Sequence, residues 1–415
     1  MPSAPAPHLK RDLGGLHGVG IVLGAIIGVG IFITPSKVAW IAGSPEQAML
    51  LWGLGGLIAM AGALCMAEIG ARFPSSGGEM LALHQTWGPL PAFLFGWSLL
   101  TAINTGVLVI ISLFAAENFG VAVGANWSTQ EVALAASIGI LLLSALNLSG
   151  VRHAAWMQTT TSAFKLLVLA GLTCLGIAAM LDSGSPPSEI LQGGTSLENG
   201  GSVGTTPSPS QRANSIPWLA GLAATLFSYG GFHQLTWVGG EIKDPQKTLP
   251  KAIVTGVILV IASYLAANWA YFSLLPFDHV ATSTSIASDA IGQRLPEVAK
   301  VLTASALCIS ALGIANSQLL TTPRVYFALA QEGLFPKVLG NLTSQNSVPR
   351  IAIVLQGALA ILLLWIVGGE SIDQLVTGVV FVDWVFHILA VAGLFIARKR
   401  CAKAPSFSTP LWPLP

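Results

Sequence analysis

The stretch GAIIGVGIF, Gly24 to Phe32, decides how this chain is read. It lies inside an apolar run, where an unbroken helix of Leu, Ile and Val would serve to cross a membrane. Glycine in a helix interior costs about 1 kcal/mol relative to alanine, yet three occur within seven residues. Two readings account for them. Gly20, Gly24 and Gly28 form two overlapping GxxxG spacings, which let helices pack closely. Alternatively the helix unwinds here, which at membrane depth is tolerated only where backbone lines a cavity or is buried in protein.

Composition supports the membrane setting. Of 415 residues, 53% are hydrophobic and 9% charged, with a mean hydropathy of +0.72; soluble domains carry about 25% charged residues. A net charge of +1 and the lack of any basic tract argue against a nucleic-acid partner. Cys65, Cys174, Cys308 and Cys401 lie far apart and read as buried packing thiols, not as a disulfide framework or a metal site. The start, MPSAPAPHLKRDL, lacks the layout of a cleaved signal peptide, so the first apolar helix is expected to stay.

A spanning helix needs about 20 apolar residues. Ten such segments lie near 15–37, 47–71, 90–120, 131–149, 156–180, 215–239, 251–275, 297–330, 349–368 and 373–397. With both termini cytoplasmic, 14 of the 19 Lys and Arg fall in inside loops. Lys37, Arg212, Arg294 and Lys300 fall outside, and Lys165 lies within a helix. This is the positive-inside pattern. The stretch 182–214, rich in Gly, Ser, Pro and Thr, reads as a flexible external loop. It separates a first five-helix unit (15–181) from a second (215–397), with tails at 1–14 and 398–415.

The second unit repeats the opening feature. Its first helix carries FSYGGF at 227–232, matching GVGIF at 28–32. Five helices per unit place the two in opposite orientation. Paired glycine-interrupted helices in such inverted repeats mark a binding site at mid-membrane. The recurrence favours unwinding over packing alone.

At this point the residues resemble a known family. GAIIGVGIFITP, CMAEIGARFPSSGGEMLAL (65–83), FSYGGFHQLTWVGGEIKDPQKTLPKAI (227–253) and TTPRVYFALAQEGLFP (321–336) resemble, in order, motifs of the amino acid–polyamine–organocation transporters, especially the L-type amino acid transporter branch. The resemblance implies an all-α membrane protein with a five-plus-five inverted-repeat core of LeuT type, ten transmembrane helices with the first and sixth broken, and alternating access. It places a substrate carboxylate at the N–H groups of Gly28, Val29 and Gly30, where a helix N-terminus carries about half a positive charge. It places the substrate ammonium at carbonyls near Ile26 and Ile27 and at Phe227, Ser228 and Tyr229, beside Gly230. Phe227 matches the family's aromatic gate, though it also reads as an ordinary apolar aromatic. Asn316 matches a polar pocket residue, or makes an interhelical hydrogen bond. Val29 departs from the usual Ser, Thr or Ala, and His233 and Gln234 replace residues that select the side chain in relatives. The family's helices eleven and twelve are missing after PSFSTPLWPLP, as in a shortened member or a truncated reading frame.

Ionisable residues at membrane depth are functional suspects. Lys165 lies nine residues beyond Trp156, about 14 Å along a helix. In the resembling family a lysine there takes the place of a sodium ion and touches the unwound first helix. The same lysine could take and release a coupling proton. Asp383 and His387, four apart, share a helix face; they read either as a proton relay or as a satisfied polar contact. Glu68 with Arg72 reads as an interfacial ion pair. Arg324 with Glu332, and Glu241 with Lys243, read as charges at inner helix ends.

The expected function is secondary transport of amino acids, neutral L-amino acids by the lack of Asp or Glu in both broken segments. Exchange and proton symport both stay open, without sodium, cofactor or metal. The partners are the amino acid, the lipid bilayer and, for symport, a proton; an accessory subunit cannot be read from sequence. The rivals are a carrier for polyamines or other organic amines and a nutrient sensor on the same scaffold. No nucleophile–base or metal-ligand set points to an enzyme.

Overall fold

The computed structural model describes residues 9–183, 217–343, 346–367, 372–400, 405–410 and 412. Nearly all of the expected external loop, Cys401 and the outermost parts of both tails lie outside these residues. The described residues are helical, with no strand beyond two isolated bridges, Leu13 with Ile242 and Ser76 with Val238.

The first apolar segment is two helices, α1 (Gly15–Ile26) and α2 (Gly30–Ala42), bent by 45° across residues 27–29. Ser44 caps α3 (Pro45–Arg72) by accepting from Gln47 N, with Pro45 fitting the first turn. A short helix α4 (Gly78–Trp87) follows, and then α5 (Pro89–Ser98), which continues through a π-helical turn (Leu99–Ile103) into α6 (Asn104–Ala122). Ser128 and Glu131 form a reciprocal capping box at the start of α7 (Thr129–Leu148). The first unit ends with α8 (Val151–Ser183).

The second unit opens with another interrupted helix: α9 (Pro217–Tyr229), a turn over 230–233, and α10 (Gln234–Trp237). Gly231 sits there at φ +108, and a Cβ on it would meet the Ala25 carbonyl oxygen at 2.7 Å. Only glycine suits both that conformation and that approach. Then come α11 (Pro245–Leu274), the short α12 (Phe277–Thr282) and α13 (Ile286–Gly292), α14 (Pro296–Gln331), α15 (Arg350–Val367) and α16 (Ile372–Arg400).

Helices thus occupy all ten expected positions. Among the described residues six are long and apolar enough to cross a membrane alone, and the bent α1–α2 pair makes a seventh. The core is built around the breaks: α1 packs on α8 and α11, and α9 on α2 and α3. Both readings of the first glycine motif hold, for different glycines. A Cβ on Gly20 or Gly24 would collide with Thr159 or Gln158 of α8, so these two pack. Gly28 and Gly30 stand at the break.

Cys65 and Cys308 are buried as expected, but Cys174 is exposed on α8. The charge pairing also differs. Arg324 does not pair with Glu332; it makes a fully buried two-point contact with Glu241, at 3.0 and 3.1 Å. Glu332 faces His84 instead. Glu68 does pair with Arg72 at 2.8 Å, and it also accepts from Arg398 and from Thr409 N.

Candidate functional site

The two breaks face one cavity of about 200 Å³ between α1–α2, α9–α10, the π turn, α14 and α16. Of the residues singled out from sequence, Ile26, Gly28, Val29, Gly30, Phe227, Ser228, Gly230, His233, Gln234 and Asp383 line it. Phe227 is 48% exposed, so its ring is not a packed core aromatic. Val29 precedes the first residue of α2 and no side chain caps that end. The first N–H groups of α2 therefore have no intrahelical acceptor, and the helix dipole adds partial positive charge there.

The opposite ends of the break are partnered. Lys165, fully buried, donates to the Gly24 and Ile27 carbonyls at 3.1 and 2.5 Å. Tyr264 of α11 sends its hydroxyl to the Ile26 carbonyl at 3.1 Å and to the Ser228 carbonyl at 3.2 Å, joining both broken helices. The Phe227 carbonyl accepts from Gly230 N. The carbonyls at Ile27 and Phe227, expected to be free, thus each hold one protein donor, and those at Ile26 and Ser228 share the single Tyr264 hydroxyl proton. Ile27 and Tyr229 do not line the cavity; the Tyr229 hydroxyl donates to the Trp52 carbonyl.

Asn316 also lies elsewhere. It is fully buried between helices, donating to the Ala154 carbonyl and Gln158 and accepting from Asn147. Helix geometry explains the difference: Ile314 and Gln318, four apart, share the face that lines the cavity, and Asn316 points away from it.

Three buried polar atoms on the cavity wall make no hydrogen bond within the protein: Asn104 Nδ2, Gln318 Oε1 and Asp383 Oδ1. A buried polar atom left unpaired costs about 1–3 kcal/mol, so such atoms on a cavity wall point to a polar ligand. One is a donor and two are acceptors. Sequence reading missed Asn104 and Gln318 because α6 and α14 carry no glycine break.

The Asp383–His387 pair is real and larger than expected. His387 Nε2 meets Asp383 Oδ2 at 3.1 Å, and its Nδ1 is hydrogen-bonded to Glu79 of α4. Trp237 Nε1 donates to the other Glu79 oxygen at 3.1 Å. The His233 and His387 rings lie 3.9 Å apart, centroid to centroid. Glu79 sits within the SGGEM stretch, which carried the resemblance without marking this residue. Sequence spacing showed no metal-ligand set; in the fold, donor atoms of Glu79, His233 and His387 all lie within 4.8 Å of one another.

Comparison with known proteins agrees with this architecture. A family model for amino acid permeases matches residues 13–414. The serine/threonine exchanger SteT of Bacillus subtilis is 27% identical, over 98% of this chain and 87% of its own. The b(0,+)-type amino acid transporter 1 of Mus musculus is 30% identical, over 96% of this chain and 80% of its own. The large neutral amino acids transporter small subunit 2 of Oryctolagus cuniculus is 31% identical, over 96% and 71%. Among solved structures, Mhp1, a nucleobase-cation-symport-1 family transporter in a closed conformation with bromovinylhydantoin bound, superposes with a TM-score of 0.52 at 14% identity. It covers 96% of this chain and 82% of its own. That likeness bears on the fold alone. With a family model spanning nearly its whole length and relatives at 30% identity or above, the chain belongs to the amino acid permease family.

Proposed function

We propose that the protein carries L-amino acids across a membrane by alternating access, with the substrate held in the cavity between the two broken helices. The observation that carries this reading is the complementarity of that cavity to a zwitterion. The uncapped N–H groups at the start of α2, at Val29 and Gly30, and Asn104 Nδ2 suit a carboxylate. Gln318 Oε1, Asp383 Oδ1 and the remaining lone pairs of the Ile26 and Ser228 carbonyls suit an ammonium or a donor on the side chain. Relatives that are an exchanger and amino acid transporters by name support the same substrate class.

The argument for neutral substrates needs adjustment. It rested on the lack of carboxylates in the broken segments, but Asp383 comes to the same cavity from α16. Neutral amino acids with a hydrogen-bonding side chain suit the wall better than purely aliphatic ones. Val29 and Phe227 then bound the α-carbon and close the cavity, with Phe227 as the gate. Lys165 ties α8 to the break and is the candidate coupling residue. Asp383 and His387 link the cavity wall to α4, so they couple substrate occupancy to that helix. Transport runs by exchange or proton symport, with both termini cytoplasmic.

Substrate protection tests this. Purified protein is heated with an L-amino acid panel, and with amines that have the same side chains but no carboxylate. The amino acids are expected to raise the melting temperature and the amines to leave it unchanged. Equal protection by the amines would favour an organic-amine carrier.

A further inference from the structure

At and behind the cavity wall, which His233 lines, Glu79, His233 and His387 come from three separate elements: α4, the interruption between α9 and α10, and α16. A second cavity, of about 350 Å³ and mostly apolar, is also lined by His233, Asp383 and His387. Glu79 is fully buried and His233 nearly so.

We propose that these three residues form a binding site for a divalent transition-metal ion of the zinc, copper or nickel type. Two imidazoles and one carboxylate are the donor set these metals favour, and calcium and magnesium, which prefer oxygen donors, do not. Three such ligands around one zinc ion stand about 3.3 Å from each other, and here all three donor atoms lie within 4.8 Å.

The surrounding contacts orient the set. Asp383 Oδ2 holds His387 Nε2 at 3.1 Å, which leaves Nδ1 as the donor directed at Glu79. A carboxylate on the far nitrogen of a ligating histidine is the usual means of fixing its ring and tautomer. Trp237 Nε1 does the same for Glu79 by holding one oxygen at 3.1 Å, leaving the other for the ion. The ion would enter where His387 and Glu79 now touch directly. Its fourth position would face the cavities that His233 lines.

Such an ion would fasten α4, α16 and the interruption of the second broken helix to one another. Any rearrangement that separates these elements would then be held back, so the ion acts as an inhibitor of the transport cycle.

Binding is measured on the untagged full chain in detergent, by cobalt absorption and zinc calorimetry. One ion per chain is expected, with affinity at least tenfold weaker in each of Glu79→Gln, His233→Gln and His387→Gln. X-ray absorption at the zinc edge of the unsubstituted chain needs no variant; it should show a nitrogen–oxygen shell containing two imidazoles. No stoichiometric ion, a sulfur-containing shell, or unchanged affinity in folded variants would overturn the site. In proteoliposomes, zinc should slow uptake by the unsubstituted chain; binding without slowing would overturn the fastening. The binding result stands whatever the transported substrate.

Discussion

Lys165 Nζ lies 2.5 Å from the Ile27 carbonyl oxygen, 138 residues away in sequence and at the end of α1. With its second bond to Gly24, it places a buried amine donor against the carbonyl end of a half-helix, where the dipole is negative. Helix α8 therefore holds the break in α1–α2 by hydrogen bonds as well as by packing.

Lys165→Ala removes that donor and strands two buried carbonyls, a cost of about 1–3 kcal/mol for each group left unpaired. Initial uptake in proteoliposomes is expected to fall at least tenfold, with protein still recovered in the membrane. Unchanged uptake would remove the lysine from the transport cycle.

Tyr264 makes the corresponding link between the two broken helices, from Ile26 to Ser228. Tyr264→Phe keeps the ring and deletes only the hydroxyl. The loss is about 1 kcal/mol per hydrogen bond. It should appear as a lowered melting temperature and as weaker substrate protection. A variant with lower stability but unaltered protection would make Tyr264 a packing residue only.

Gln318 and Asn316 separate site from scaffold. Gln318 presents an unpaired oxygen to the cavity, whereas Asn316 is satisfied between helices. Gln318→Leu should raise the substrate concentration for half-maximal uptake about tenfold, the equivalent of 1.4 kcal/mol, with little change in stability. Asn316→Leu should do the reverse, lowering the melting temperature while the protein that remains folded keeps its affinity. The opposite result would move the site to the other face of α14.

Arg324 and Glu241 are both buried, so removing one partner leaves a charge without compensation. Arg324→Ala is expected to destabilise by about 3–5 kcal/mol, and the double change Arg324→Met with Glu241→Leu by much less. Thermal unfolding of the purified variants checks this. Equal loss in both would show that the arginine's contribution does not pass through Glu241.

These residues also show what sequence could and could not reveal. The breaks were legible because glycine is a local signal, and its recurrence at 28–30 and 230–231 marks both. Lys165 was legible because a lone charge at that depth has few explanations. Tyr264, Asn104, Gln318 and Glu79 were not, because each is an ordinary residue until the fold brings it to a break or a cavity. Of the two readings of Asn316 the interhelical hydrogen bond holds; the cavity-facing residues 314 and 318 lie two positions away, which on a helix is more than half a turn. Arg324 was read only as a charge at an inner helix end, because its position suggested exposure, while the structure buries it completely against Glu241.

The central claim, amino acid transport through the cavity between the broken helices, is tested most directly by uptake of labelled L-amino acids into proteoliposomes. Vesicles would be empty, preloaded with amino acid, or under an inward proton gradient. The account predicts saturable uptake that is stereoselective, stimulated by preloading or by the gradient, and not competed by amines lacking a carboxylate. Uptake absent under all three conditions, or competed equally by those amines, would contradict it.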